Sequence, residues 1–323
     1  MSLAHHKIHY ISNGAGWSLE LKQCRRPHSV HKNRNPVVFI PGYGMNSFIF
    51  GYHPNGLSFE EYLTQHGLEV WSVNLRGQGD SRQEGGSDCY GLKDLGTVDL
   101  RKAIDFIVKN SESTTDKVDL IGCSLGGTLA YIYAALVTHN KLGKLVSMGA
   151  PLRWEEVHIL LRIAFASPKL IGLLPLNKTK GIIRTLFPIL SKTSLLKIYL
   201  HKEMVDLRHK NIFLETVEDP NRFLNREIAE WIHTKDLIID GKNVTEEMKK
   251  VKSPLFCILA NSDGIVPPMT ALSAHEVIGS KTKETLVVGT DKLRFAHADL
   301  FISEHSHEMV FKPVAQWLLQ NHQ

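Results

Sequence analysis

Ser124 stands at the centre of Gly122-Cys123-Ser124-Leu125-Gly126, a G-x-S-x-G run. The context of the run matters more than its letters. An apolar stretch at 118–121 leads into it, and a second apolar stretch, of helical length, leaves it from Leu125 to about residue 137. A strand, a sharp turn and a helix in that order lift the serine hydroxyl above the carboxyl edge of a sheet. They also aim the unpaired N–H groups of the helix start at any oxygen that becomes negative. So tight a turn requires small residues two places before and two places after the serine, and both are Gly. A capping serine in a plain glycine-rich turn would carry the same letters, so the distinction falls on the partners.

A serine hydroxyl at its ordinary pKa is a weak nucleophile. It needs a base, and the base needs an orienting carboxylate. On an α/β scaffold these follow in the order serine, acid, histidine, each in a loop after a late strand. The apolar run at 255–260 opens directly into Asn261-Ser262-Asp263-Gly264, which nominates Asp263 as the acid, although an Asp before Gly also suits a simple turn. A further strand-like run at 285–288 precedes His297-Ala298-Asp299, which nominates His297 as the base. His305 and His307 are rivals a few residues on, at the start of the last helix, where capping or solvation is the ordinary role. This histidine-rich segment, with Asp299 and Glu304, lacks the H-E-x-x-H spacing, so no metal is expected there. Donors for a developing oxyanion would be the backbone N–H of Leu125, directly after the serine, and that of Tyr43 in Pro41-Gly42-Tyr43-Gly44.

The elements that must hold these residues are readable in part. A hairpin is expected over 7–12 and 17–23, with strands at 37–40, 70–73, 118–121, 145–148, 255–260 and 285–288. Leu100, Ala103, Ile104, Ile107 and Val108 keep helical spacing with polar residues between them. A terminal helix presents Val310, Val314, Trp317 and Leu318, with Pro313 in or near its first turn. Unbroken apolar runs separated by helices indicate a mostly parallel central sheet flanked by helices, an α/β fold. That rhythm stops between residues 151 and 250. Helices are expected there at about 157–165, 195–207 and 226–233. The organisation expected is one α/β core, 1–151 and 250–323, with an inserted helical cap, 152–249.

Four segments in order carry a resemblance to the α/β-hydrolase superfamily over nearly the whole length. They are Pro41-Gly42-Tyr43-Gly44, the Leu75-Arg76-Gly77-Gln78-Gly79-Asp80-Ser81 run, the Ser124 turn, and the paired loops of Asp263 and His297. Within it the chain is most similar to esterase/lipase-like proteins and to relatives of the polyhydroxyalkanoate synthases. The resemblance implies cleavage of a carboxylic ester or thioester without a cofactor; the alternatives are acyl transfer from the same acyl-enzyme and a non-enzymatic ligand-binding protein on this fold. Polymer synthases carry Cys at the turn, whereas here it is Ser124 and Cys123 lies one place earlier. Pro41 stands where this superfamily often has His, which sets the Tyr43 loop apart from the common pattern.

Composition narrows the setting. With 43% hydrophobic and 22% charged residues, the 323-residue chain reads as globular, and its net charge of +5 is too mild to indicate nucleic-acid binding. The most apolar long stretch, 158–176, is interrupted by Arg162 and Lys169, so no membrane span is expected. Cys24, Cys89, Cys123 and Cys257 are scattered without a C-x-x-C pair, which points to reduced thiols; with no signal-peptide pattern, the expectation is a cytoplasmic protein. Residues 157–202 hold eight Lys or Arg and no Asp or Glu among many Leu and Ile. That suits a lipid-like ester substrate and peripheral contact with an anionic membrane through a basic cap. A cap that merely packs on the sheet, its lysines solvated, has the same composition. The sequence carries no oligomerisation signal.

Overall fold

The computed structural model describes residues 4–167, 180–181, 185, 193–208 and 210–321. A nine-stranded sheet runs through the molecule. Its strands are β1 (His5–Ser12), β2 (Trp17–Arg25), β3 (Val37–Ile40), β4 (Val70–Asn74), β5 (Arg82–Gln83), β6 (Val118–Cys123), β7 (Leu142–Met148), β10 (Leu255–Ala260) and β11 (Lys283–Val288), with β8 (Ile238–Ile239) and β9 (Lys242–Asn243) forming a separate hairpin. The order across the sheet is β1-β2-β4-β3-β6-β7-β10-β11, with β5 pairing β2. From β4 to β11 every pairing is parallel, and β2 joins β1 and β4 antiparallel.

The inner strands are buried on both faces, which explains why they read as unbroken apolar runs rather than alternating ones. In β3, Val38 and Ile40 enter one core while Val37 and Phe39 enter the other. The first core is roofed by α2 (Leu100–Asn110) and α3 (Leu125–Leu136). Helix α2 buries Leu100, Ala103, Ile104 and Ile107, the stripe its sequence spacing marks. The second core lies under α1 (Phe59–Gln65) and the C-terminal helix Lys312–Leu319, which has Pro313 in its first turn. A capping box starts α1: the Ser58 hydroxyl accepts from Glu61 N–H, and the Glu61 carboxylate accepts from Ser58 N–H.

Between β7 and β10 lie α4 (Ile159–Ala164) and α5 (Arg222–Thr234), near the helical stretches expected there. The helix expected over 195–207 is not formed. A single 3-10 turn, Ser194–Ile198, is followed by turns, because tertiary partners take the groups a helix would use. His201 N–H donates to the Asp299 carboxylate, while the carbonyls of Ile198, Tyr199 and Met204 accept from Gly264, Ala298 and Glu304. Half of the expected basic stretch, at Lys169, Lys178, Arg184 and Lys192, lies outside the described residues. No helix of the described residues is long and apolar enough to cross a membrane.

Candidate active site

Ser124 sits at φ 51° and ψ −123°, between the last residue of β6 and the first of α3. Such a conformation costs a non-glycine residue about 1–3 kcal/mol and persists only where surrounding structure enforces it. The enforcement is visible at the two glycines of the motif. A Cβ on Gly122 would collide with the backbone of Gly127, and one on Gly126 with the carbonyl oxygens of Ile40 and Pro41. Gly42 passes so close that a Cβ there would lie 3.0 Å from the Ser124 Cβ, which brings the 41–44 loop against the turn.

Asp263 and His297 are joined directly. The Nδ1–H of His297 donates to Oδ2 of Asp263 at 2.6 Å, and both residues are buried. Oδ1 of the same carboxylate accepts the N–H groups of Ile265 and Val266 at 2.8 and 2.9 Å. Asp263 is therefore a turn residue and a histidine partner at once, one oxygen for each task. The bond leaves the other ring nitrogen, Nε2, for the cavity. Ser124 and His297 line the same cavity and are not hydrogen-bonded to each other, a contact that commonly tightens only when substrate is bound.

That cavity has a volume of about 260 Å³. Leu161 from α4, Phe165 directly after it, Ile228, Trp231 and Ile232 from α5, and Trp154 line it. Trp154 and Trp231 meet edge to face, their centroids 5.5 Å apart. Apart from Ser124, His297 and the tyrosines Tyr43 and Tyr199, the walls are hydrocarbon and tryptophan, which suits an apolar chain.

Leu125 is the first residue of α3, so its N–H has no acceptor within the helix. Tyr43 lines the cavity from the opposite side. Its hydroxyl, held protonated by burial that pushes its pKa upward, donates to Oδ1 of the fully buried Asn225. Gln78 donates to the carbonyl of Met45, and Glu218 N–H donates to that of Gly44, so this loop is tied both to the turn after β4 and to the segment between β7 and β10. His305 and His307 are elsewhere: His305 pairs loosely with Glu304 at the surface, and His307 donates to the carbonyl of Leu57.

Two residues to which the sequence assigns no such part shape the site. Gly149, at φ 54° just past β7, leaves space that a Cβ would fill at 3.1 Å from the His297 ring and 3.2 Å from Asp263. A Gly directly after an apolar strand is the only signal for it. The Asp299 carboxylate accepts from Ala296 N–H, from His201 N–H and from the His201 ring. Burial raises its pKa above the ordinary carboxylate value, against the pull of those donors.

Residues 35–169 match the sequence profile of a family described as alpha/beta hydrolase fold. The chain is 22% identical over 314 residues to the poly(3-hydroxyalkanoate) polymerase subunit PhaC of Haloferax mediterranei, an alignment covering 88% of this chain and 58% of that protein. It covers still less, about a third, of other curated relatives. Among solved structures, a thermophilic esterase from Thermogutta terrifontis superposes with a TM-score of 0.65 at 14% identity, covering 97% of this chain and 98% of that one. The Paleococcus ferrophilus monoacylglycerol lipase gives 0.57 at 18% identity, covering 88% and 95%. The chain has the α/β-hydrolase fold.

Proposed function

We propose that this protein of the α/β-hydrolase fold is a serine hydrolase that cleaves a carboxylic ester or thioester with a hydrophobic acyl group. One observation carries the reading: a serine held at positive φ and a histidine bonded to a buried aspartate open onto one apolar cavity. In this reading the Ser124 hydroxyl attacks the carbonyl carbon while Nε2 of His297 takes its proton. Asp263 keeps the other ring proton on Nδ1 and offsets the positive charge that develops on the imidazole. The N–H groups of Leu125 and Tyr43 receive the oxyanion. The leaving alcohol or thiol departs with the proton from His297. A water molecule then repeats the sequence on the acyl-serine, with His297 first as base and then as acid.

The cavity volume suits acyl chains of medium length. At the roughly 30 Å³ that a water-sized group occupies, 260 Å³ holds about eight or nine such groups. The names of the structural relatives, an esterase and a monoacylglycerol lipase, point the same way. Ile159, Leu160 and Ile163 of α4 are exposed beside Arg162, which supports delivery of substrate from a lipid surface. Four free cysteines, Cys89 of them exposed, fit a reducing, cytoplasmic setting.

The relationship to a polymerase subunit supports a second reading, transfer of the acyl group to an alcohol in place of water. Labelling with a fluorophosphonate probe and turnover of p-nitrophenyl esters from acetyl to octanoyl test the first reading. Labelling that Ser124→Ala abolishes, with octanoyl turned over faster than acetyl, is the expected result. Labelling that persists in the variant would reject Ser124. Transfer products formed on adding alcohol acceptors would favour the second reading.

A further inference from the structure

Away from the Ser124 cavity, His6, Cys24 and Glu60 bring an imidazole nitrogen, a thiol sulfur and a carboxylate oxygen within 4.8 Å of one another. His6 and Cys24 are direct partners across the antiparallel β1–β2 ladder, so their side chains share a face of the sheet. Nε2 of His6 lies 3.9 Å from the Cys24 sulfur. Helix α1 packs onto that face and supplies Glu60, with one carboxylate oxygen accepting from the Ser72 hydroxyl at 2.6 Å. Cys24 and Glu60 are buried while His6 is exposed, so the group is enclosed below and open to solvent on one side. Strands β4 and β3 separate β2 from β6 and its serine.

We propose that His6, Cys24 and Glu60 form a binding site for a thiophilic divalent cation of the zinc class, pinning the β1–β2 hairpin to α1. A nitrogen, a sulfur and an oxygen ligand together suit zinc-like ions and disfavour magnesium or calcium, which take oxygen ligands alone. A tetrahedral zinc ion, with sulfur at ~2.3 Å and nitrogen at ~2.0 Å, holds those two donors roughly 3.5 Å apart. The observed 3.9 Å between sulfur and nitrogen thus needs only a small side-chain adjustment. Two of the three groups are potential anions buried together, and a dication removes the cost of charging them. Coordination converts the Cys24 thiol to thiolate and releases its proton to solvent. The exposed side, next to His6, leaves a fourth position for water.

Cobalt(II) titrated into the chelator-treated full-length protein is the test, because a thiolate ligand adds a sulfur-to-metal absorption band. One cobalt per chain with that band is expected. Cys24→Ser should abolish the band, and Cys89→Ser, which removes the exposed thiol, should leave it. His6→Ala and Glu60→Gln should each weaken binding roughly tenfold or more. Circular dichroism reports whether each variant is folded, and if Cys24→Ser unfolds, the other two decide. Absence of the band, its persistence in folded Cys24→Ser, or unchanged affinity in both His6→Ala and Glu60→Gln overturns the proposal. None of these outcomes depends on hydrolytic activity, so the site stands or falls separately from the function proposed for Ser124.

Discussion

Asp299 ties His201 to the loop that carries His297: its carboxylate accepts the His201 backbone N–H at 3.0 Å and the His201 ring Nδ1–H at 2.8 Å. Ala298 N–H donates to Tyr199 at 2.7 Å, and the Tyr199 and His297 rings lie 6.2 Å apart. The segment around 198–204 thus holds the histidine loop by both its backbone and a buried carboxylate.

Asp299→Asn replaces one acceptor oxygen with a donor, facing either Ala296 N–H and the His201 ring or the His201 backbone N–H. We expect kcat to fall roughly tenfold to hundredfold, as small displacements of reacting groups do, with little change in KM. Stability should drop by about 1–3 kcal/mol for the unpaired buried group. Steady-state kinetics with a urea unfolding curve check both parts. Full kcat in a folded variant would show that the clasp does not position His297.

The positive φ of Ser124 gives a prediction of opposite sign for stability and activity. Ser124→Gly relieves the strained backbone, and the gain exceeds the entropy a glycine adds to the unfolded chain, so stability should rise by about 1 kcal/mol. Hydrolysis should be lost by several orders of magnitude. A denaturation midpoint lower than wild type would mean the turn stores no strain.

Gly149 makes room for the pair of Asp263 and His297, at a φ of 54° that other residues adopt only with strain. Gly149→Ala puts a methyl group 3.1 Å from the imidazole, tighter than the ring can accept without moving. Turnover should fall roughly hundredfold. Kinetics of the folded variant decide the point, and an unchanged kcat would locate the catalytic base elsewhere.

What could be read from the sequence follows from how local each constraint is. The G-x-S-x-G turn is legible because its sterics act over five residues. Asp263 and His297 are legible as candidates because each follows an apolar strand run, 255–260 or 285–288. The bond between His201 and Asp299 is not, since its partners are 98 residues apart and neither spacing nor composition links them. The same bond defeats the helix expected over 195–207: apolar spacing there is helical, but the His201 N–H goes to Asp299. Tyr43 could be nominated from its loop, whereas its buried partner Asn225 sits in α5 with no pattern to reveal it.

The cavity wall predicts chain-length selectivity. Leu161 projects into the 260 Å³ space from α4, and Leu161→Trp fills much of it without touching Ser124, Asp263 or His297. Turnover of octanoyl esters should fall roughly tenfold or more while acetyl esters are little affected, the range that misfitting a few methylenes produces. A panel of acyl lengths measures it, and parallel loss on all esters would place the acyl chain elsewhere.

His53 links the fold to acid. Its Nε2 lies 3.1 Å from the Ser303 carbonyl and 2.9 Å from the Ser306 hydroxyl, and its Nδ1 accepts from Asn55 N–H, an arrangement that needs a neutral ring. Burial, with His307 stacked edge-on at 4.3 Å, pushes its pKa down from 6.5 to about 4. Between those values the unfolded chain binds the proton that the folded chain excludes, so stability rises with pH across that window. The contribution is complete above about pH 6.5 and is lost as pH falls through the window to about 4. The shift corresponds to about 3 kcal/mol. His53→Gln keeps polar atoms at the site and removes the titration. The stability difference between wild type and variant, from urea midpoints, should therefore shrink toward acid by about that amount. If the two proteins lose stability in parallel, His53 already shares its proton in the folded state, and acid sensitivity arises from the carboxylates instead.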